Sequence, residues 1–287
     1  MALTGLYGGL FFAVLCMSSS SIMIKLSTAP VMIMVLYRLL FTASLALPLK
    51  LGFKEAAARW DRRLLLQLVM AGIFLALHFV FWFTSLSYTS VSSSVLFTNQ
   101  QVLFVLLFSV VALKEPLARQ AIYGVVMALL GCAIIAGGDM LHGNLWGDFL
   151  ALVSGFCIAG YLILGRRLRQ SLEAWTYSFL VSLVAAAVLL PFIIWSGLEF
   201  FAYPAREWGL FFLMALLPGI CGHGIINWAL KYLKAPLIAV SILGETVSAS
   251  IMALLILQEA LGLYQIIGGG LILSGIYLAM TNEARSD

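Results

Sequence analysis

The stretch that decides the fold runs from Leu86 to Asp139, LSYTSVSSSVLFTNQQVLFVLLFSVVALKEPLARQAIYGVVMALLGCAIIAGGD. It returns without a gap from Leu230 to Glu283, LKYLKAPLIAVSILGETVSASIMALLILQEALGLYQIIGGGLILSGIYLAMTNE, at a constant shift of 144 residues. Leu86, Tyr88, Leu113, Glu115, Leu117, Ile122, Gly124, Leu129 and Gly131 meet Leu230, Tyr232, Leu257, Glu259, Leu261, Ile266, Gly268, Leu273 and Gly275. Apolar runs match often by chance, but glycine and polar matches at the same helix ends are harder to obtain that way, so duplication is the reading we prefer. The run beginning Leu6, Tyr7, Gly8 likewise resembles the one beginning Leu145, Trp146, Gly147 just past the midpoint.

Each copy holds continuous apolar runs of membrane-spanning length, and the rest of the chain is built the same way. Of the 287 residues, 63% are hydrophobic and 10% charged, whereas a soluble domain carries about 25% charged residues. Spans of about 20 residues use up the length. Helices are predicted near 4–26, 31–49, 64–87, 90–113, 118–137, 146–165, 174–195, 208–230, 236–257 and 262–281. The runs lack the two-residue alternation of a membrane barrel, and in hydrocarbon each segment must satisfy its own backbone. The expected fold is therefore an all-α membrane protein of ten transmembrane helices, arranged as two five-helix repeats over residues 1–140 and 141–287. An odd number of spans per repeat inserts the second copy upside down, the inverted arrangement found in alternating-access transporters.

With the N-terminus in the cytoplasm, thirteen of the sixteen Lys and Arg residues fall in cytoplasmic segments, among them Lys50, Lys54, Arg62, Arg63, Lys114, Arg166, Arg167, Arg169, Lys231 and Lys234. Only Arg206 lies outside, and Lys25 and Arg38 lie within spans. This bias predicts an inner-membrane protein with both termini cytoplasmic. The formal charge of +4 is spread among short loops rather than gathered on one face, which argues against a nucleic-acid partner. Cys16, Cys132, Cys157 and Cys221 lack metal-ligand spacing and read as small buried hydrophobes. The first run has no basic leader and is read as a span rather than a signal peptide.

Ionisable groups inside spans are costly and usually face a cavity or a partner, which singles out Arg38, His78, His223 and Glu245. Glu245 shares a predicted helix face with Ser241 and Ser248. An acid there could meet a substrate cation or a proton, or be tied to a neighbouring helix. His78 with Trp82, and His223 with Asn227 and Trp228, occupy corresponding parts of the third and eighth helices. Each imidazole either contacts a ligand or links two helices. Asn99, Gln100 and Gln101 stand opposite Glu245 in the repeat, since Gln101 is 144 residues before it. Tyr161 and the run Ser18–Ser21 are further candidates from the sixth and first helices. Arg38 could attract a carboxylate or cap a helix carbonyl, and Lys25 snorkels to the interface.

Together these features resemble the EamA-type, ten-helix branch of the drug/metabolite transporter superfamily. The carriers of the resemblance are the Glu115 and Glu259 turns, Gly124 and Gly268 beyond them, the Ala-Pro-Leu-Ile run at 235–238, Glu245, Lys25 and Arg38. Thr246 stands where the family usually has proline. The resemblance implies a cavity between helices 1–4 and 6–9, with helices 5 and 10 peripheral. It implies export of amino acids, related metabolites or drugs. Arg38 and Glu245 would hold the ends of a zwitterion, and Trp82, Trp228 and Tyr161 would suit an aromatic amino acid. Energy would come from a substrate gradient or from coupled ions, with protons through Glu245 as the candidate ion. No cofactor or metal is expected, and the chain would work as a monomer or homodimer in the bilayer. The competing classes are a membrane-embedded enzyme, for which His142 is isolated and no nucleophile and base converge, and a structural subunit without solute flux.

Overall fold

The computed structural model describes residues 3–49, 60–113, 119–139, 144–258 and 262–283. The Glu115 and Glu259 turns, His142 and several basic loop residues, Lys50, Lys54 and Lys114 among them, lie outside the described residues. The helices are α1 (Leu3–Leu26), α2 (Val31–Ala46), α3 (Arg62–Leu86), α4 (Val91–Leu113) and α5 (Arg119–Asp139), then α6 (Leu145–Leu168), α7 (Ala174–Trp195), α8 (Ala205–Ala229), α9 (Ala235–Leu257) and α10 (Leu263–Glu283). Seven are long and apolar enough to cross a bilayer, and the apolar parts of α2, α5 and α10 are shorter.

Three of the helices are not the continuous rods the apolar runs suggest. α4 consists of Val91–Thr98, Gln101–Phe108 and a π-helical turn at Ser109–Leu113. α9 consists of Ala235–Ile242, Gly244–Met252 and a π-helical turn at Ala253–Leu257. The first segments and the π turns of these two helices share bounds at a shift of 144 residues, as do α5 and α10. The repeat is thus written in backbone geometry even where only nine side chains agree. α8 carries the third irregularity, a π-helical stretch from Ala215 to Gly224 around Pro218, whose ring removes a backbone donor from mid-span.

The halves meet in antiparallel contacts. A Cβ on Gly124 would lie 2.6 Å from the carbonyl oxygen of Gly275, and one on Gly131 would lie 2.4 Å from that of Gly268. As α5 advances from 124 to 131, α10 recedes from 275 to 268, so the helices cross about a local two-fold axis. Only glycine permits this approach of two backbones, the device by which small residues pack helices in lipid. Elsewhere α8 is drawn against its neighbours by glycines. Cβ atoms on Gly219, Gly222 and Gly224 would meet Thr42 Oγ1 at 2.5 Å, Met17 Cγ at 2.6 Å and the Trp175 ring at 2.9 Å. These contacts bring α8, and with it His223, against α1, α2 and α7.

Candidate functional site

Inside the bundle lies a narrow cleft into which several helices project polar side chains. It receives Ser20 from α1, Arg38 from α2, His78 and Trp82 from α3, Thr98, Asn99 and Gln101 from α4, His223 from α8 and Glu245 from α9. Apolar walls come from Met17, Val95, Ile158, Leu162, Pro218, Ile226 and Ile242. An apolar pocket with a few convergent polar groups is the usual form of a small-molecule site.

Arg38 is 1% exposed, though it belongs to a helix of otherwise uncharged side chains. Its Nη1 donates to Ser20 Oγ at 2.7 Å, and the guanidinium carbon sits 4.1 Å from the centre of the Phe79 ring. A desolvated contact of that kind is worth about 2 kcal/mol. Nη2 has no partner among the described residues. Glu245 lies on the same cleft, and no hydrogen bond or ion pair among the described residues joins the two charges. A buried guanidinium and a buried carboxyl, each left open to a shared space, present opposite charges to whatever enters it.

His78 is fixed from behind. Ser154 Oγ donates to the His78 carbonyl at 3.1 Å, which leaves the hydroxyl oxygen to accept from Nδ1–H at 2.7 Å, with the Ser154 carbonyl at 3.2 Å as a second acceptor. The proton is thereby assigned to Nδ1, and Nε2 is left as an acceptor. Trp82 stacks on this imidazole at 5.9 Å, and the His223 ring stands edge-on at 6.5 Å. Trp82 Nε1, His223 Nδ1 and Gln101 Oε1 have no partners among the described residues.

The breaks in α4 and α9 face one another here. Asn99 Nδ2 donates to Thr246 Oγ1 at 3.0 Å, and Gln101 Nε2 donates to Asn99 Oδ1 at 3.3 Å. Asn99 at the α4 break and Thr246 just past the α9 break thus tie the two halves of the protein together.

Arg38, His78, Trp82, Asn99, Gln101, His223 and Glu245 therefore share one cleft. Tyr161 and Asn227 lie instead in a second cavity, described below. Gln100 faces a lateral groove with Leu103, Leu129 and Cys132, because adjacent helical residues point about 100° apart. Trp228 is turned from Asn227 by the same angle, packing beside Gly9 of α1 and edge-on to Tyr232. The Ser241–Glu245–Ser248 stripe is interrupted: the break at Leu243 separates Ser241 from Glu245, Ser241 bonds back to Leu237 O, and Ser248 is only half-buried. Phe79 and Pro218 were not singled out from sequence. The signals available were a ring next to His78 and a proline within a glycine-rich span.

Both ends of the bundle are tied by charged residues gripping backbone. At one end Glu207 accepts from Ser27 Oγ, from Thr28 N at 3.1 Å and from Thr28 Oγ1 at 3.0 Å. Asp148 accepts from Thr89 Oγ1 at 3.0 Å and Ser93 Oγ at 2.9 Å, while Lys25 Nζ donates to Thr89 O at 3.0 Å. At the other end Arg166 donates to Leu230 O at 2.8 Å and Lys231 O at 3.0 Å, and Arg167 donates to Ala112 O. Arg169 Nε donates to Asn227 O at 2.7 Å and Nη1 donates to Leu172 O. Desolvation lowers the Arg169 pKa from the ordinary arginine value, against the opposing charge of Glu173.

A bundle of apolar helices, seven of them long enough to cross a bilayer, with two broken helices facing an internal charged cleft, makes this a multi-pass α-helical membrane protein. The chain belongs to the EamA-like transporter family, whose model matches it twice, over residues 5–137 and 145–281. It is 26% identical to an uncharacterized transporter, YxxF, of Bacillus subtilis (strain 168) over 265 residues, covering 86% of this chain and 82% of that protein. It is 25% identical to the pseudopaline exporter CntI of Pseudomonas aeruginosa (strain UCBPP-PA14) over 248 residues, 84% of each chain. A solved crystal structure covers 100% of both chains with a TM-score of 0.76 at 18% identity, a likeness of fold.

Proposed function

We propose that this protein is a secondary active transporter that exports amino acids or closely related zwitterionic metabolites, by alternating access around the Arg38–Glu245 cleft. The observation that carries the reading is the clustering of unmet polar atoms. Of seven buried side-chain N and O atoms without a partner among the described residues, four border this one cleft: Arg38 Nη2, Trp82 Nε1, Gln101 Oε1 and His223 Nδ1. Unpaired buried polar groups cost about 1–3 kcal/mol each, so their concentration beside a carboxyl supports a ligand that pairs with them. Arg38 Nη2 and Trp82 Nε1 donate to the substrate carboxylate. Glu245, Gln101 Oε1 and His78 Nε2 accept from its ammonium group. Trp82 and the two imidazoles line the space for a flat side chain, which favours aromatic amino acids as the subclass.

The two halves, 1–140 and 141–287, act as inverted five-helix repeats, and the basic end carrying Arg166 to Arg169 faces the cytoplasm of a bacterial inner membrane. Both termini are then cytoplasmic. Export is supported by the name of the Pseudomonas relative. Protons entering through Glu245 supply the driving force, and the unit is a monomer or homodimer.

Purified protein in liposomes, offered a panel of radiolabelled amino acids with and without a pH gradient, tests this. Saturable flux that rises with the gradient and is abolished in Glu245→Gln is expected. Failure of every amino acid to cross, with the protein correctly inserted, would sink the reading.

A further inference from the structure

A second cavity adjoins the first on the side of the basic end, and Arg38 and His223 belong to the walls of both. Its polar lining is a ladder of oxygens on two packed helices. Thr42 lies one turn beyond Arg38 on α2, and Ser178 and Ser182 lie one turn apart on α7. Thr42 Oγ1 and Ser182 Oγ make no hydrogen bond among the described residues, so both hydroxyl protons are available to the cavity. Tyr161 Oη donates to Asn227 Oδ1 at 2.6 Å, and Asn227 Nδ2 donates to Ser178 Oγ at 2.9 Å. The backbone carbonyl of Asn227 accepts from Arg169 Nε at 2.7 Å.

Arg38, at 1% exposure, is the charged residue in this cavity's lining and forms no ion pair among the described residues, while Arg169 lies outside the lining, on the backbone carbonyl of Asn227. Arg38 Nη2 is an unpartnered cationic donor on the shared wall. The carboxyl Glu245 belongs to the first cavity and is absent from the lining of the second. The chemistry of the second space is that of hydroxyl donors and one guanidinium with no carboxyl in the lining, which recognises a carboxylate and repels an ammonium group.

We infer that the second cavity is an inner carboxylate subsite, held by Arg38, Thr42 and Ser182, which the substrate occupies between the cytoplasmic end and the midplane cleft. Resting on the transport reading above, this assigns Thr42 and Ser182 to substrate passage from one face only. Arg38 keeps hold of the carboxylate as the molecule passes from one cavity to the next, and Glu245 engages the ammonium group only in the second step. An uncharged or cationic analogue lacking the carboxylate has no footing in the inner cavity.

The test uses the double variant Thr42→Val, Ser182→Ala, which removes both hydroxyls with little change of shape, in membrane vesicles of both orientations loaded with the radiolabelled amino-acid panel. The KM for entry from the cytoplasmic face rises about tenfold, the loss expected when about 1.4 kcal/mol of hydrogen bonding to a charged group is removed. The KM from the opposite face stays within about twofold. The hydroxyl-retaining pair Thr42→Ser, Ser182→Thr restores the cytoplasmic KM, which separates loss of a donor from loss of packing. Equal effects on the two faces, no effect on either, or failure of the hydroxyl-retaining pair to restore transport overturns the subsite alone. If the unaltered protein moves no amino acid, the transport reading fails and the subsite with it.

Discussion

Replacing Gly131 with alanine probes the contact that joins the two halves. The added Cβ would stand 2.4 Å from the Gly268 carbonyl oxygen and 3.0 Å from Ile272 Cγ1. Carbon against a carbonyl oxygen rests at about 3.3 Å or more, so α5 and α10 must separate by roughly 0.9 Å. Overpacking of this kind costs about 1–3 kcal/mol. The partner change Gly268→Ala, whose Cβ would lie 2.5 Å from Gly131 O, should cost a similar amount. Because separation forced by one alanine relieves the other, the double variant should fall short of the additive cost by about 0.5 kcal/mol or more. The assay is reversible unfolding in mixed micelles with sodium dodecyl sulfate, with Gly137→Ala as control. Gly137 has nothing within 4 Å of its added Cβ, so that change is neutral or stabilising. Stability of Gly131→Ala equal to the unaltered protein would refute both the close approach and the local two-fold axis.

Three further outcomes follow from the same geometry. A double-mutant cycle on Asn99→Ala and Thr246→Val should give a coupling of about 0.6 kcal/mol, the usual scale for interhelical hydrogen bonds in membranes, measured by the same unfolding assay; a coupling of zero would deny that the two breaks hold each other. Asp148→Asn weakens two hydroxyl-to-carboxylate bonds and should raise amide exchange in the turn at residues 87–90, while leaving exchange at residues 166–172 unchanged. Phe79→Leu removes the ring under the Arg38 guanidinium, at a cost of about 2 kcal/mol; the KM for a zwitterionic substrate should rise while inhibition by a simple amine analogue stays constant.

How far the sequence could be read follows from which forces act locally. Continuous apolar runs report burial in lipid along the whole span, and the span from Ala174 to Trp195 agrees with its predicted bounds. Buried ionisable groups are equally legible, since Arg38, His78 and Glu245 are costly in hydrocarbon wherever the helices turn them, and they share one cleft. The helix breaks were not legible. Asn99 is a weak helix former in an otherwise apolar segment, but Leu243 has no such signature, and only its position 144 residues after Asn99 marks it. The break falls between Ser241 and Glu245, whereas Ser248 stays on Glu245's own segment. Facing was undetermined at single-residue resolution for the same reason, because Gln100 and Trp228 each differ from a cavity-lining neighbour by one step of the helix. The inner cavity, assembled from hydroxyls on α2 and α7, depends on which helices pack together, a property no single span carries.

The most direct measurement is competition against labelled substrate in proteoliposomes by a matched series: an amino acid, its carboxamide, and its des-amino acid. The account predicts that the unaltered protein prefers the zwitterion, that Arg38→Gln loses the preference over the carboxamide, and that Glu245→Gln loses the preference over the des-amino acid. Equal loss of all three ligands in both variants, or no preference for the zwitterion in the unaltered protein, would contradict it.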